Sequence, residues 1–232
     1  MDISTSTALV TGANRGFGRH LAAELLSRGA KVYAAARTPE TVDLPGAIPV
    51  ALDITDPASV RAAAKTTGDV NLLINNAGIA ILAPLLTVDV ADVRRMLDTH
   101  FFGTLDVIRA FTPQIEASGG GSILNVLSAA SWFTRETFGG YGAAKSAQWQ
   151  LTNALRLELA PQGIIVAGLH VGFMDTDMAA EITAPKSNPA GIAKIAVDGI
   201  AAGAYEILAD DASRQVQAGL SAGVSGLYPQ LA

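Results

Sequence analysis

The chain has no cysteine, and its 232 residues include only three histidines and two tryptophans. Without cysteine there is no disulfide, no thiol nucleophile and no thiolate metal ligand, which suits a reducing compartment. The histidines, His20, His100 and His170, are scattered, so no metal-ligand spacing exists and no metal is expected. An excess of positive charge is also lacking. Sixteen basic against 21 acidic residues leave a net charge of −5, which offers no footprint for nucleic acid. No basic amphipathic stretch suggests binding to an anionic membrane. Long apolar runs are missing as well: the longest, 79–86, contains Pro84 and falls far short of the ~20 residues that span a bilayer. Met1-Asp2-Ile3-Ser4-Thr5-Ser6 carries neither the basic nor the apolar region of a signal peptide, so a cytoplasmic location is expected.

What is present is a chain half hydrophobic, with 23 glycines. That is enough to bury a large core as one domain over residues 1–232. Strand-like runs at 8–11, 31–36, 48–52, 71–75, 122–127 and 164–169 alternate with helical periodicity. This pattern predicts an α/β fold, a doubly wound parallel sheet with helices on both faces. Asp56 before Pro57 reads as an N-cap and first-turn proline, and Thr87 as the cap of a long helix running towards Phe111. A further helix over 141–159 ends at Pro161 and Gly163. The tail reads as helical over 190–209 and 213–222, so the sheet is expected to have six strands, or seven with a poor last one.

Two motifs carry chemistry. In Thr11-Gly12-Ala13-Asn14-Arg15-Gly16-Phe17-Gly18 a glycine-rich turn joins a strand to a helix. Glycines allow close backbone approach to a pyrophosphate, and the helix N-terminus offers free N–H groups and a positive dipole end. The plain alternative is a turn that only links the two elements. Tyr141 and Lys145 stand four residues apart, one helical turn on the same face, with Ser128 thirteen residues before the tyrosine. A free phenol with a pKa of about 10 is a poor acid–base catalyst at neutral pH. A unit charge ~4 Å away is worth ~4 kcal/mol at an effective dielectric near 20, so the lysine is expected to lower the phenol by ~3 units. Ser128 could then hold a substrate oxygen against the phenol.

Further motifs complete the pattern: Leu52-Asp53-Ile54-Thr55, Asn75-Asn76-Ala77-Gly78 at a strand end, and Val171-Gly172-Phe173-Met174-Asp175-Thr176. In this order and at these distances the five motifs resemble the short-chain dehydrogenase/reductase family, from Thr7 to about Met178. The resemblance implies a Rossmann-like domain that binds NADP(H) or NAD(H). Gly12, Asn14, Arg15, Gly16, Phe17 and Gly18 would lie around the pyrophosphate. Asp53 and Ile54 would border the adenine, and Asn75, Ala77 and Gly78 would lie beside the cofactor. Gly172, Phe173 and Thr176 would cap the nicotinamide, while Tyr141 and Lys145 serve both cofactor and chemistry. It also implies a homodimer or homotetramer built on the helices carrying His100 and Tyr141. Two positions depart from the pattern. His100, in His100-Phe101-Phe102-Gly103, replaces the family's helical asparagine, and Val171, preceded by His170, replaces a proline.

NADP(H) is expected over NAD(H). An NAD site wants an acidic residue about twenty positions beyond the glycines, and here Ala36 and Arg37 stand there, with Arg15 able to approach the same corner. The expected pocket wall is Ile79, Ala130, Trp132, Phe133, Phe138, Met174 and Met178, with no basic residue among them. A neutral, fairly hydrophobic ketone, aldehyde or alcohol fits such a wall. His100 either preserves a proton relay, since imidazole offers a donor and an acceptor, or simply packs. The competing reading is a cofactor-sensing binding protein that kept the fold and lost turnover, with His100 as the damage.

Overall fold

The computed structural model describes residues 1–231. Its centre is a seven-stranded parallel sheet in the order β3-β2-β1-β4-β5-β6-β7. The strands are β1 (Thr7–Thr11), β2 (Lys31–Ala36), β3 (Ile48–Ala51), β4 (Leu72–Asn75), β5 (Gly121–Val126), β6 (Ile164–His170) and β7 (Glu206–Leu208). β1 pairs with β2 from Thr7↔Lys31 and with β4 from Ala8↔Leu72, so the strand order reverses beside β1. That reversal leaves a crevice at the carboxyl ends of β1 and β4.

Helices cover both faces. α1 (Gly16–Ser27) and α6 (Pro189–Ala201) pack on one; α2 (Pro57–Thr66), α4 (Thr104–Ala117) and α5 (Gly139–Leu159) pack on the other. The period-2 alternation of a strand assigns side chains to each layer. Ala8 and Val10 join Leu21, Leu25 and Val197, whereas Leu9 joins Val60, Phe111 and Leu155. Because both faces are buried, the strands read as nearly continuous apolar runs. Each fully buried side chain of this kind, such as Leu9, Leu25 or Phe111, contributes ~1.5–3 kcal/mol of transfer free energy.

Asp56 caps α2 as expected, its carboxylate accepting from the Ala58 N–H at 2.9 Å. Two expectations are corrected. The helix expected from Thr87 is capped by Asp89 instead, which accepts from Ala91 N–H at 2.8 Å. It runs as α3 (Val90–Leu97), then a π-helical turn over Asp98–Gly103, then α4. The tail expected to be helical through 209 breaks after Ala201. Gly203 takes φ 71° and turns the chain into β7, which pairs with β6 from Gly168↔Glu206 to His170↔Leu208. Local propensity could not find a three-residue strand whose only partner lies 38 positions away. The rest of the tail follows as α7 (Asp211–Gly219) and α8 (Gly223–Leu227).

Candidate active site

A cleft of about 1480 Å³ lies at the carboxyl ends of the strands, centred on the β1/β4 switch point. Its floor is the glycine turn. Gly12 and Gly16 take φ 66° and 54°, a region where side chains are strained. A Cβ on Gly12 would come within 3.0 Å of Ala77 Cα, while at Gly16 the nearest atoms, of Thr176 across the cleft, stay 4.0 Å away. Arg15 occupies the N-cap of α1 without a side-chain cap bond, so the first-turn N–H groups have no capping side chain. An uncapped, left-handed turn facing open space fits a pyrophosphate.

Gly12, Asn14, Arg15, Gly16 and Phe17 line the cleft, as do Arg37, Asp53 and Ile54. So do Ala77, Gly78, Gly172, Phe173 and Thr176. Two predicted residues do not. Gly18 faces inward, where a Cβ would collide with the Gly12 carbonyl; it lets helix and turn pack closely and lines no cleft. Asn75 is buried in β4, donating to Asn125 Oδ1 at 2.8 Å. Its neighbour Asn76 reaches the turn instead, donating to the Thr11 and Gly12 carbonyls at 2.9 and 3.3 Å. Thr11 Oγ1 in return accepts from the Asn76 and Ala77 N–H groups, both at 2.9 Å. Neither Thr11 nor Asn76 was singled out from sequence, although both stand inside the motifs. Arg15 lines the cleft with its guanidinium paired to Asp177 at 3.0 Å, both well exposed.

Ser128, Tyr141 and Lys145 converge on one end of the cleft. Ser128 follows β5 and caps a short turn, its hydroxyl accepting from Ala130 N–H at 3.1 Å and donating to the Val171 carbonyl at 3.4 Å. The helical spacing in α5 puts Lys145 Nζ over the Tyr141 ring, 5.9 Å from its centroid. Nζ donates to Val126 O at 2.7 Å and to Gln148 Oε1 at 2.9 Å. Gln148, one turn on from Lys145, in turn donates to Thr104 Oγ1 at 3.1 Å. It was missed from sequence, although the i, i+3 spacing could have found it.

The expected lowering of the phenol is not what burial produces. Burial pushes Tyr141 up to about 12, with a Ser128 hydrogen bond opposing it. Burial also pulls Lys145 down to about 7, which weakens the ammonium as a stabiliser of phenolate. Desolvation disfavours both charged forms, and spacing alone says nothing of desolvation.

His100 sits in the π turn, almost wholly buried. Its Nε2 lies 2.7 Å from the Ile79 carbonyl, which requires an N–H there and leaves Nδ1 an acceptor without a partner. The ring meets Tyr141 edge-on, with centroids 5.7 Å apart at 83°. Burial, then the Lys145 charge, lower His100 to about 3, so the imidazole is neutral at ordinary pH. A Cβ at Gly78 would fall 2.5 Å from His100 Cε1, so the glycine makes room for this ring.

Of the expected wall, Ile79, Ala130, Phe133, Phe138, Met174 and Met178 line the cleft, but Trp132 does not. Trp132 turns away to stack on His170, with centroids 3.6 Å apart at 14°. The cleft is also less uniformly apolar than expected: Arg135, Lys186 and Arg214 line it. Arg135 lies over the Phe133 and Phe173 rings, at 5.9 and 5.8 Å from their centroids.

With this geometry in view, comparison with known proteins is specific. The short chain dehydrogenase family profile matches residues 6–187. The chain belongs to that family, and it is an oxidoreductase by class. D-erythrulose reductase of Gallus gallus is 37% identical over 177 residues, covering 74% of this chain and 72% of that protein. An NADPH-dependent 1-acyldihydroxyacetone phosphate reductase of Schizosaccharomyces pombe is 35% identical over 177 residues, covering 72% of this chain and 60% of that one. A short chain dehydrogenase from Burkholderia cenocepacia, solved in complex with NADP, superposes with a TM-score of 0.95 at 35% identity, covering 100% of this chain and 99% of that chain. Among the described residues no helix is long and apolar enough to cross a membrane, and no group of three His, Asp or Glu side chains could hold a metal ion.

Proposed function

We propose that this chain, a single domain, is an NADP(H)-dependent oxidoreductase interconverting a neutral, fairly hydrophobic ketone or aldehyde with its alcohol. The observation that carries the reading is the meeting of Ser128, Tyr141 and Lys145 at the end of a cleft floored by the glycine turn. The α1 N-terminus would receive the pyrophosphate, Asp53 and Ile54 the adenine side, and Arg37 a 2′-phosphate. The bound nicotinamide cofactor supplies the hydride. Tyr141 holds the proton delivered to the substrate oxygen; kept protonated by burial, it is suited to donate in the reducing direction. Ser128 orients that oxygen, and Lys145 faces the ribose. His100 positions Tyr141 and the Gly78–Ile79 backbone.

The apolar wall from Phe133, Phe138 and Phe173 supports an uncharged substrate, and Arg135 is already engaged by two of those ring faces. Exposed Phe102 and Leu157, on the π-helical turn and the helix that carry His100 and Tyr141, support a homodimer or homotetramer. A cytoplasmic location completes the reading. The test is NADPH oxidation followed optically against neutral ketones and aldehydes, erythrulose and a phosphate-bearing ketone. Turnover of the neutral members is expected. Preference for the phosphorylated compound would overturn the substrate class, and NADPH binding without any turnover would favour the sensing protein.

A further inference from the structure

We infer that the buried His170 and Glu206 at the exposed sheet edge form a brace that holds the Ser128 turn in register, which makes His170 a positioning residue for Ser128. The functional half of this inference rests on the proposed role of Ser128. His170 ends β6 and is fully buried. Its Nδ1 lies 3.2 Å from the Ser128 carbonyl, and its Nε2 lies 3.1 Å from Glu206 Oε1 on the edge strand β7. Both partners accept, so both contacts are made in full only when each ring nitrogen carries a proton. The Trp132 face stacked on the ring fixes its rotation.

The brace is anchored at its far end. Arg156 of α5 approaches Glu206 at 3.7 Å while donating to the Val166 and Tyr205 carbonyls. At the near end, Ser128 O also accepts from Ser131 N–H at 3.0 Å, and Val171, the residue after His170, takes the Ser128 hydroxyl and the Ala129 N–H on its carbonyl. Two consecutive residues of β6 and its exit therefore grip the turn that presents Ser128. An apolar residue could stack on Trp132 equally well. Burial lowers His170 from its ordinary value, so the neutral ring donates to one partner and lies against the other; polar partners at both ends of a buried ring orient the turn where an apolar ring would not. β7 thereby gains a role beyond closing the sheet edge.

His170→Phe keeps the stacking and removes both hydrogen bonds; Glu206→Leu removes the carboxylate partner; Glu206→Gln keeps an acceptor for Nε2. Two quantities are read: amide hydrogen exchange of residues 129–131, which needs no substrate, and kcat with the carbonyl compound that the parent reduces fastest. In His170→Phe and Glu206→Leu, exchange of the Ala130 and Ser131 amides should rise ~10-fold or more, with core strands unchanged. In the same variants kcat should fall ~10-fold with NADPH affinity unaltered, while Glu206→Gln stays within about threefold of the parent on both readings. Unchanged exchange at 130 and 131 in both disruptive variants overturns the brace, as does equal loss in all three with faster exchange throughout. The Glu206 pair carries the test if His170→Phe does not fold. A loosened turn with kcat intact would leave the brace standing and overturn the role given to Ser128.

Discussion

The Lys145 ammonium lies over the Tyr141 ring, 5.9 Å from its centroid, and makes its hydrogen bonds to the Val126 carbonyl and Gln148. The pair meets across a ring face, with Lys145 buried and Tyr141 half-buried at the cleft, and desolvation moves both groups.

Tyr141→Phe should lower kcat by ~10²–10⁴-fold while leaving NADPH affinity nearly unchanged, because only the proton-bearing hydroxyl is lost. Steady-state kinetics beside a fluorescence titration of NADPH decide it. Activity within a few-fold of the parent would remove Tyr141 from the chemistry.

Lys145 gives a stability prediction with a definite sign. Its folded value falls from 10.5 to about 7, so folding disfavours the ammonium. The resulting cost is fully present below about pH 7, shrinks as pH rises and vanishes above about 10.5. Lys145→Met should raise Tm in the absence of cofactor, most at pH 6–7 and progressively less towards pH 10, while abolishing turnover. A Tm difference that does not change over this range would mean that the amine is not desolvated.

Arg37 should carry the choice of cofactor more than Arg15, which is held by Asp177. Charge-assisted hydrogen bonds are worth ~1.5–3 kcal/mol, so Arg37→Ala should cut the NADPH over NADH preference in kcat/KM by ~10–100-fold. Arg15→Ala should cut it less. Equal use of both cofactors by the parent would sink the assignment.

His100 should contribute no acidic limb to the pH–rate profile between pH 5 and 8, since its ring is held neutral at about 3. His100→Asn should keep most activity. His100→Ala removes the edge contact to Tyr141 and the bond to Ile79, and should lower kcat by ~10-fold or more with little change in KM. A limb near pH 6.5 that disappears in His100→Asn would show that the imidazole titrates in the working range. Gly78→Ala offers a check from the other side: its new methyl meets His100 Cε1 at 2.5 Å, so it should reproduce the loss.

The alternation of apolar runs already indicated the sheet and its two helical layers, and the Tyr141–Lys145 spacing already indicated a shared helix face. These features follow from periodicity, which is local. Where the reading failed, a neighbour in space decided the outcome. Asn75 turned inward to Asn125 while Asn76 took the glycine turn. Trp132, expected in the wall, went to His170 instead. β7 exists because β6 has a free edge to pair with, and Glu206 on that edge reaches His170.

The sequence by itself determined the order of elements up to β6, the glycine turn, and the residue types available for catalysis, since each depends on contacts within a few residues. Tertiary structure decided which of those residues face the cleft, which cations line it, and how far burial moves Tyr141, Lys145 and His100 from their ordinary values. Desolvation is set by atoms distant in the chain, and no spacing of residues encodes it.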